Sequence, residues 1–352
     1  MAEILTLVTA GLKPDQLADI DHIRYPRVDY IELQRLIDLD VLDYTAYNRT
    51  RLGEFFRRLE TQLRSDLYLA MLGLLRRHRY CLSFAMSERA GIPFSALNHA
   101  FPGHRPLISI FAAWSTRQER VITGLDLFSA MDVVIVNCQS LKDHFLKLGA
   151  SAEHIEVVRY GVDQCFFSPM RDVEQQIDLV MSVGEVRGRD YKTLFQAVHD
   201  LPMKLLVAAS GSWYAREKNT SLDVMVPGNV TIAGSFSRAE LKGLYTQSQF
   251  VVLPLYDVPF SAGATVALEA MCMGRAVIAS RSRGILDYVV DHETGILVEP
   301  GDVEALREAI EHLLAHPEEA QRLGRNARQR VEEELNLDTY VESLARILNA
   351  HL

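Results

Sequence analysis

This chain is poor in the residues that staple a fold, anchor it in a membrane or bias its charge towards nucleic acid. Only four cysteines occur in 352 residues, Cys81, Cys138, Cys165 and Cys272, and none forms a C-x-x-C pair. That scatter favours a reducing compartment and argues against a structural zinc site. No apolar run reaches the roughly 18 residues that a membrane-spanning helix needs. An excess of basic charge is missing too. Lys and Arg number 37 against 46 Asp and Glu, a net charge of −9, which argues against general nucleic-acid binding. There is no internal repeat, no low-complexity tract and no H-E-x-x-H or Cys/His cluster. The opening MAEILTLVTAGLKPD has an apolar run but no basic leader or cleavage site, so it reads as a first buried strand. The expected setting is the cytoplasm, with the inner face of a membrane as the alternative.

What is present is ordinary for a globular chain: 48% hydrophobic and 24% charged residues. The length is too great for one typical core and suits two. In the second half, short apolar runs at Leu179–Val183, Leu205–Ala209, Val230–Ala233, Phe250–Leu255 and Ala276–Ala279 alternate with helical patterns at Tyr191–Val198, Arg238–Gln247 and Val266–Met273. Strand–helix alternation predicts a parallel sheet covered on both faces, with ligands at the carboxyl ends of the strands. Gly184, Ser210-Gly211, Gly234-Ser235 and Tyr256–Gly263 all follow strands and so converge on that edge. The first half predicts a second α/β unit. Its strands are Ile4–Thr9, Tyr80–Phe84, Leu107–Phe111, Val133–Asn137 and Ile155–Val158, with one or two helices over Leu52–Arg79 and a helix over Ser140–Leu148 capped by Ser140.

The most informative stretch runs from Asp257 to Asp302: a small-residue turn (Ser261, Ala262, Gly263, Ala264), a helix bearing one acid (Glu269), a buried strand, a second turn and a strand ending in Pro300-Gly301-Asp302. Small residues let a ligand approach the backbone. The positive end of the following helix favours a phosphate there. Glu269-Ala270-Met271, Gly274, Val277-Ile278, Gly284, Thr294-Gly295, Leu297-Val298 and Pro300-Gly301-Asp302 fall in step with the donor-binding core of family 4 glycosyltransferases, which this segment resembles. Tyr160-Gly161-Val162-Asp163 followed by Phe167-Ser168-Pro169 resembles that family's passage between domains. The resemblance covers about residues 130–350 and barely touches the first hundred. It implies the α/β GT-B fold, two Rossmann-like domains facing across a cleft. The expected divisions are residues 1–165 for the acceptor, 166–335 for the donor, and a helix over 336–352 returning to the first domain. Two departures lie inside the match. Ser261 stands where the family has the first Glu of a pair, and Asp287 stands at its turn Glu.

By resemblance, Glu269 meets the ribose hydroxyls of the donor. Gly263, Ala264 and Thr265 meet its diphosphate, and Ser235-Phe236 and the Ser210–Ser212 turn with Gly211 flank the base. Arg189 takes the place of the family's phosphate-neutralising Lys. Glu185 occupies the position of the partner Arg, so Arg187 is the candidate to replace it from the Gly184 turn. Arginine forks suit a diphosphate; solvated loop arginines are the plain alternative. Glu269 likewise has a plain reading as a surface acid or helix-dipole partner. Ser261 points to altered sugar recognition, since a hydroxyl offers one donor and an acceptor in place of a charge.

The segment Ile108–Ser115 carries no His where the family often has one. His99 and His104 read as surface residues, and Trp114 as either a sugar-stacking ring or core. Asp38-Leu39-Asp40 reads as a solvated loop rather than a metal motif. Arg49–Arg79 holds eight arginines against three acids, a core-facing helix with a charged outer face or, more sharply, a surface for peripheral membrane contact. The reading is a metal-independent, retaining glycosyltransferase with no resident cofactor. It takes a nucleotide-sugar co-substrate and an unidentified acceptor (glycan, lipid-linked or small molecule), and it has no nucleic-acid partner. A non-catalytic GT-B scaffold and a nucleotide-sugar epimerase are the rivals.

Overall fold

The computed structural model describes all residues except 1, 12–19, 21, 23, 50–52, 54–55, 57–59, 61–64, 104, 171, 185–188, 210–224 and 235. The chain divides into two compact units. One comprises Met1–Ala18, Val28–Arg159 and Tyr340–Leu352; the other comprises Asp19–Arg27 and Tyr160–Thr339.

The first unit is a parallel sheet in the order β2-β1-β3-β4-β5-β6. Its strands are β1 (Ile4–Leu7), β2 (Leu39–Leu42), β3 (Leu82–Ala85), β4 (Leu107–Phe111), β5 (Val133–Val136) and β6 (Ile155–Val157). Helices α1 (Asp29–Leu36), α2 (Leu67–Arg76), α3 (Glu88–Ala100), α4 (Thr116–Gly124) and α5 (Gln139–Lys147) connect them. Two expectations change here. Asp40 lies in edge strand β2, not in a loop. Leu39 and Leu42 are buried while Asp40 faces out and accepts from the Tyr80 hydroxyl at 2.8 Å. Helix α5 starts at Gln139 with Cys138 at its N-cap, so Ser140 lies inside the helix and does not cap it. Most of the residues between Arg49 and Arg64 lie outside the described ones.

The second unit is a parallel sheet in the order β12-β11-β10-β7-β8-β9. Its strands are β7 (Leu179–Val183), β8 (Lys204–Ala208), β9 (Val230–Ala233), β10 (Phe250–Leu253), β11 (Ala276–Ser280) and β12 (Gly295–Val298). Between and after them run α6 (Tyr191–Val198), α7 (Arg238–Gln247), α8 (Ala264–Cys272), α9 (Val303–Ala315) and α10 (Pro317–Glu334). The final helix α11 (Leu337–Asn349) has its first residues in this unit and the rest in the other.

Side chains on these strands alternate between two apolar layers. Val251, Leu253, Val277, Ala279 and Leu297 join one core, while Phe250, Val252, Ala276, Ile278 and Ile296 join the other. Period-2 alternation with both sets apolar is what a sheet buried on both faces requires. Where the chain enters this unit, Arg27 pins Asp163 (Nε to Oδ1, 3.0 Å) and Asp338 (Nη1 to Oδ1, 2.6 Å), gathering three distant segments of the unit. Among doubly wound sheets the strand order reverses at one point, and ligands bind at the carboxyl ends beside it. In this unit that point lies between β7 and β10, which places the site before any side chain is considered.

Candidate functional site

The turns leaving β7 and β10 are stitched together at this point. Asp190 N–H donates to the Pro254 carbonyl at 2.8 Å, and Arg189 forms a bridge with Leu255. Asp190 then caps α6 by accepting from Thr193 N–H at 3.1 Å. This stitching turns the Arg189 side chain inward, where it is only 6% exposed. Its Nε donates to the Val183 carbonyl at 3.0 Å. The guanidinium lies between two glycines with left-handed backbone. A Cβ at Gly184 (φ +130°) would stand 2.7 Å from Nη2, and one at Gly263 (φ +85°) would stand 3.5 Å from Nη1. Tyr191 closes the turn by donating its hydroxyl to the Gly184 carbonyl at 3.0 Å. Burial pushes the Arg189 pKa down, and the nearby Tyr191 and Tyr245 hydroxyls oppose that shift. A buried cation at a sheet edge, walled by bare backbone, is suited to an anion.

Helix α8 opens on the same spot. It begins at Ala264, two residues before the expected start, because left-handed Gly263 is its N-cap; it ends at Cys272. No side chain caps it. Its first turn therefore points backbone donors and the positive dipole end at the Gly263 turn. Ala264 N–H is already used, closing the turn on the Ser261 carbonyl at 3.1 Å. Thr265 is exposed and Ala264 buried.

Glu269 is therefore in the second turn of α8, and it is neither a surface acid nor a dipole partner. It is 3% exposed and held from two sides: Arg238 Nη1 donates to Oε1 at 2.6 Å and Tyr245 hydroxyl to Oε2 at 2.9 Å. Burial raises its pKa, and Arg238 and Tyr245 pull it back. Both holders lie on α7, at its first residue and two turns later, and α7 is fixed by a Ser237/Glu240 capping box. Sequence reading missed this pair. The helix was legible, but nothing in its spacing says that position 238 meets position 269.

The β10–α8 turn is clamped to the turn after β11. Ser280 Oγ accepts from Leu255 N–H at 2.9 Å, Ser282 Oγ accepts from Val258 N–H at 3.3 Å, and Arg283 pairs with Asp257 at 3.1 Å. Gly284 packs flat on this turn; a Cβ there would fall 1.8 Å from the Phe260 carbonyl oxygen. We expect Gly284→Ala to cost at least about 2–3 kcal/mol and to loosen the Ser261–Gly263 turn. Chemical denaturation, with proteolysis at 256–263, checks this; an unchanged unfolding midpoint would contradict it. Ser261 is 7% exposed, and its Oγ has no hydrogen-bond partner among the described residues. Asp287 is half-buried and offers its backbone carbonyl to Arg330 at 3.2 Å.

The structure thus brings together Arg189, Gly184, Ser261, Gly263, Ala264 and Glu269. Phe236 is partly buried against the same apolar core. Arg187, Gly211 and Ser235, with Glu185, lie outside the described residues. In the first unit His99 is exposed. Trp114 packs on Phe145 at 4.6 Å, and its Nε1 donates to Glu119 at 3.3 Å, which His144 also meets at 3.3 Å.

Two parallel six-stranded sheets with helices, in these strand orders, define a two-domain α/β protein of GT-B type. Solved structures agree on the fold. Anabaena HepE in complex with UDP and glucose superposes with a TM-score of 0.72 at 18% identity, over 99% of this chain and 100% of that one. Sucrose-phosphate synthase from Thermosynechococcus elongatus gives 0.70 at 23% identity, over 81% of this chain and 78% of that one. Residues 172–330, most of the second unit but less than half of the chain, match the family model described as Glycosyl transferases group 1. A D-inositol 3-phosphate glycosyltransferase from Gordonia bronchialis is 24% identical over 290 residues, covering 75% of this chain and 63% of the relative. A glycogen synthase from Mycobacterium tuberculosis is 26% identical over 276 residues, covering 75% and 65%. The chain therefore spans less than two thirds of these relatives' own length.

Proposed function

We propose that this protein transfers a sugar from a nucleotide diphosphate donor to an acceptor hydroxyl, with retention of anomeric configuration and without a metal. The observation that carries the reading is the Arg189 guanidinium. It is buried between the Gly184 and Gly263 turns, at the switch point and against the uncapped start of α8. Such a site is matched to a diphosphate, because buried charge and fixed dipoles act strongly where water is excluded. Glu269 then accepts the ribose hydroxyls, with Arg238 and Tyr245 fixing its carboxylate. Gly263 and Thr265 face the diphosphate, and Phe236 flanks the base. The named complex of the HepE structure with UDP and glucose makes a uridine nucleotide the first donor to try.

In the transfer step the bond between the anomeric carbon and the donor phosphate oxygen breaks. The acceptor oxygen bonds to that carbon on the same face, and its proton passes to the leaving phosphate oxygen. Arg189 and the α8 N-terminus stabilise the charge that grows on the diphosphate. Divalent metal has no part in this step, so EDTA is expected to leave turnover unchanged.

Thermal shift with UDP, GDP, ADP and their sugar conjugates, in EDTA, tests the reading. Stabilisation by one nucleotide class supports it. No response to any favours a GT-B scaffold without catalysis, a reading that Ser261 in place of an acid also supports. Ser261 Oγ is assigned to the donor sugar. A buried hydroxyl without a partner costs about 1–3 kcal/mol, so Ser261→Ala should raise the unliganded melting temperature. It should also leave affinity for the bare nucleotide diphosphate unchanged and weaken the added affinity contributed by the sugar. Equal loss for both ligands would remove that assignment.

A further inference from the structure

The described C-terminal part of the arginine-rich stretch, from Leu67 to Arg79, belongs to the first unit, and the structure gives it specific surroundings. Helices α2 and α3 both end at the edge of the first unit's sheet where β3 and β4 begin, the edge opposite the strands' carboxyl ends. Leu75, in the last turn of α2, is 69% exposed, and Phe101, just after α3, is 53% exposed. Arg77 joins the two places by donating Nη2 to the carbonyls of Phe101 (3.3 Å) and Pro102 (2.7 Å). It is 6% exposed, and its Nη1 is buried without a hydrogen-bond partner among the described residues. The charge that acts most on it is Arg105, of the same sign. Arg76 and Arg79 flank the neighbouring Tyr80. Asp40 is the acid tied to this cluster, through Tyr80.

Two exposed apolar side chains among four arginines, one of them buried with an unused donor, match an interface that is apolar at depth and anionic at its surface. Arginine stems can lie along apolar matter while their heads meet phosphates. Peripheral binding of this kind adds buried apolar area to attraction for anionic headgroups. No helix among the described residues is long and apolar enough to cross a membrane. We propose that this edge of the first unit, with Leu75 and Phe101 as apolar contacts and Arg76, Arg79 and Arg105 as headgroup contacts, docks on an anionic lipid bilayer. The assignment is independent of the donor-site reading, because every residue in it belongs to the other unit.

Co-sedimentation of the full chain with phosphatidylcholine vesicles, with and without about one third phosphatidylglycerol, tests it. Binding is expected only with the anionic lipid and should fade as salt rises and the Debye length shortens. Each of R76Q, R79Q and R105Q should lower the partition constant about fivefold, the equivalent of about 1 kcal/mol per basic residue. L75S/F101S should lower it further while leaving the salt dependence in place. Arg77 is left intact because it ties α2 to the turn after α3. Circular dichroism and nucleotide affinity, both expected unchanged, verify that the variants are folded. If L75S/F101S does not fold, the single charge variants and F101S decide. Equal binding to neutral vesicles, no binding at low salt, or undiminished binding by folded variants would overturn the proposal. So would concentration-dependent self-association that F101S abolishes, which would make the patch an interface between two copies of this chain.

Discussion

Arg189→Met is expected to lower turnover by about 100- to 1000-fold, the range seen when one preorganised charge-stabilising donor is removed, while the protein melts no lower than the parent. The two halves of that outcome have one cause. The guanidinium is nearly buried and burial disfavours its charge, so the folded protein bears a desolvation cost to keep it there. An apolar side chain of similar length relieves that cost, although the Val183 carbonyl loses its hydrogen bond. On the proposed reading, the arginine contributes most when an anion arrives between Gly184 and Gly263. Affinity for a nucleoside diphosphate should therefore fall sharply while affinity for the matching nucleoside does not. Steady-state kinetics, calorimetry with both ligands and a thermal melt together check this. Unchanged turnover would remove Arg189 from the site. A fall in both turnover and melting temperature would make it a structural residue.

The second large effect concerns Glu269 and its two holders. Glu269→Ala is expected to weaken nucleotide binding by about 30- to 100-fold, since hydrogen bonds to a charged group contribute about 1.5–3 kcal/mol. It also strands the fully buried Tyr245 hydroxyl, so stability should drop by about 1–3 kcal/mol. Arg238→Gln is the sharper test, because Arg238 is 43% exposed and its loss leaves the core intact. Burial already raises the Glu269 pKa, and Arg238 opposes the rise; without it the pKa climbs further towards neutrality. The groups acting on the carboxylate are the Arg238 guanidinium, through its charge and a hydrogen bond, and the Tyr245 hydroxyl, through a hydrogen bond.

The sign of the linkage follows from this. The folded state holds the Glu269 proton to higher pH than the unfolded chain does. Stability from this group is thus complete below the unfolded pKa and is lost as pH rises through the raised folded value. Binding of ribose hydroxyls needs the ionised carboxylate, so it runs the other way and fails as pH falls through that value. In Arg238→Gln the acid limb of nucleotide affinity should move to higher pH, with KM affected more than kcat. Arg238→Lys should restore most of the shift. An acid limb that does not move would show that Arg238 packs against Glu269 without tuning it.

Several features of the site were legible in the sequence because they depend on local chemistry. Left-handed turns need glycine, so Gly184 and Gly263 announce bends where the chain must leave a strand. A continuous apolar run gave the Leu179–Val183 strand to the residue, since both of its faces are buried, and helical periodicity gave the Tyr191–Val198 and Arg238–Gln247 helices. Much of the family-like string after Gly284 proves to be scaffold. Thr294 Oγ1 accepts from Val290 N–H at 2.9 Å, and Asp302 caps α9 through Ala305 N–H at 2.9 Å. The start of α8 was misplaced by two residues because its N-cap is a backbone conformation and not a capping side chain. Asp40 was misread because an edge strand with one face in solvent resembles a polar loop.

By itself the sequence determined the strand–helix alternation from β7 to β12, the glycine turns at the sheet edge and the presence of one acid on α8, because propensity, periodicity and φ restrictions act over a few residues. Only the tertiary structure decided which turns meet. It set Arg189 between the turns of β7 and β10, 60 and more residues apart along the chain, and it held Glu269 between Arg238 and Tyr245. It also left Ser261 Oγ without a partner and joined Leu75 and Phe101 through Arg77. Those pairings depend on strand order and helix packing, which bring distant residues together through burial and hydrogen bonding that no local pattern encodes.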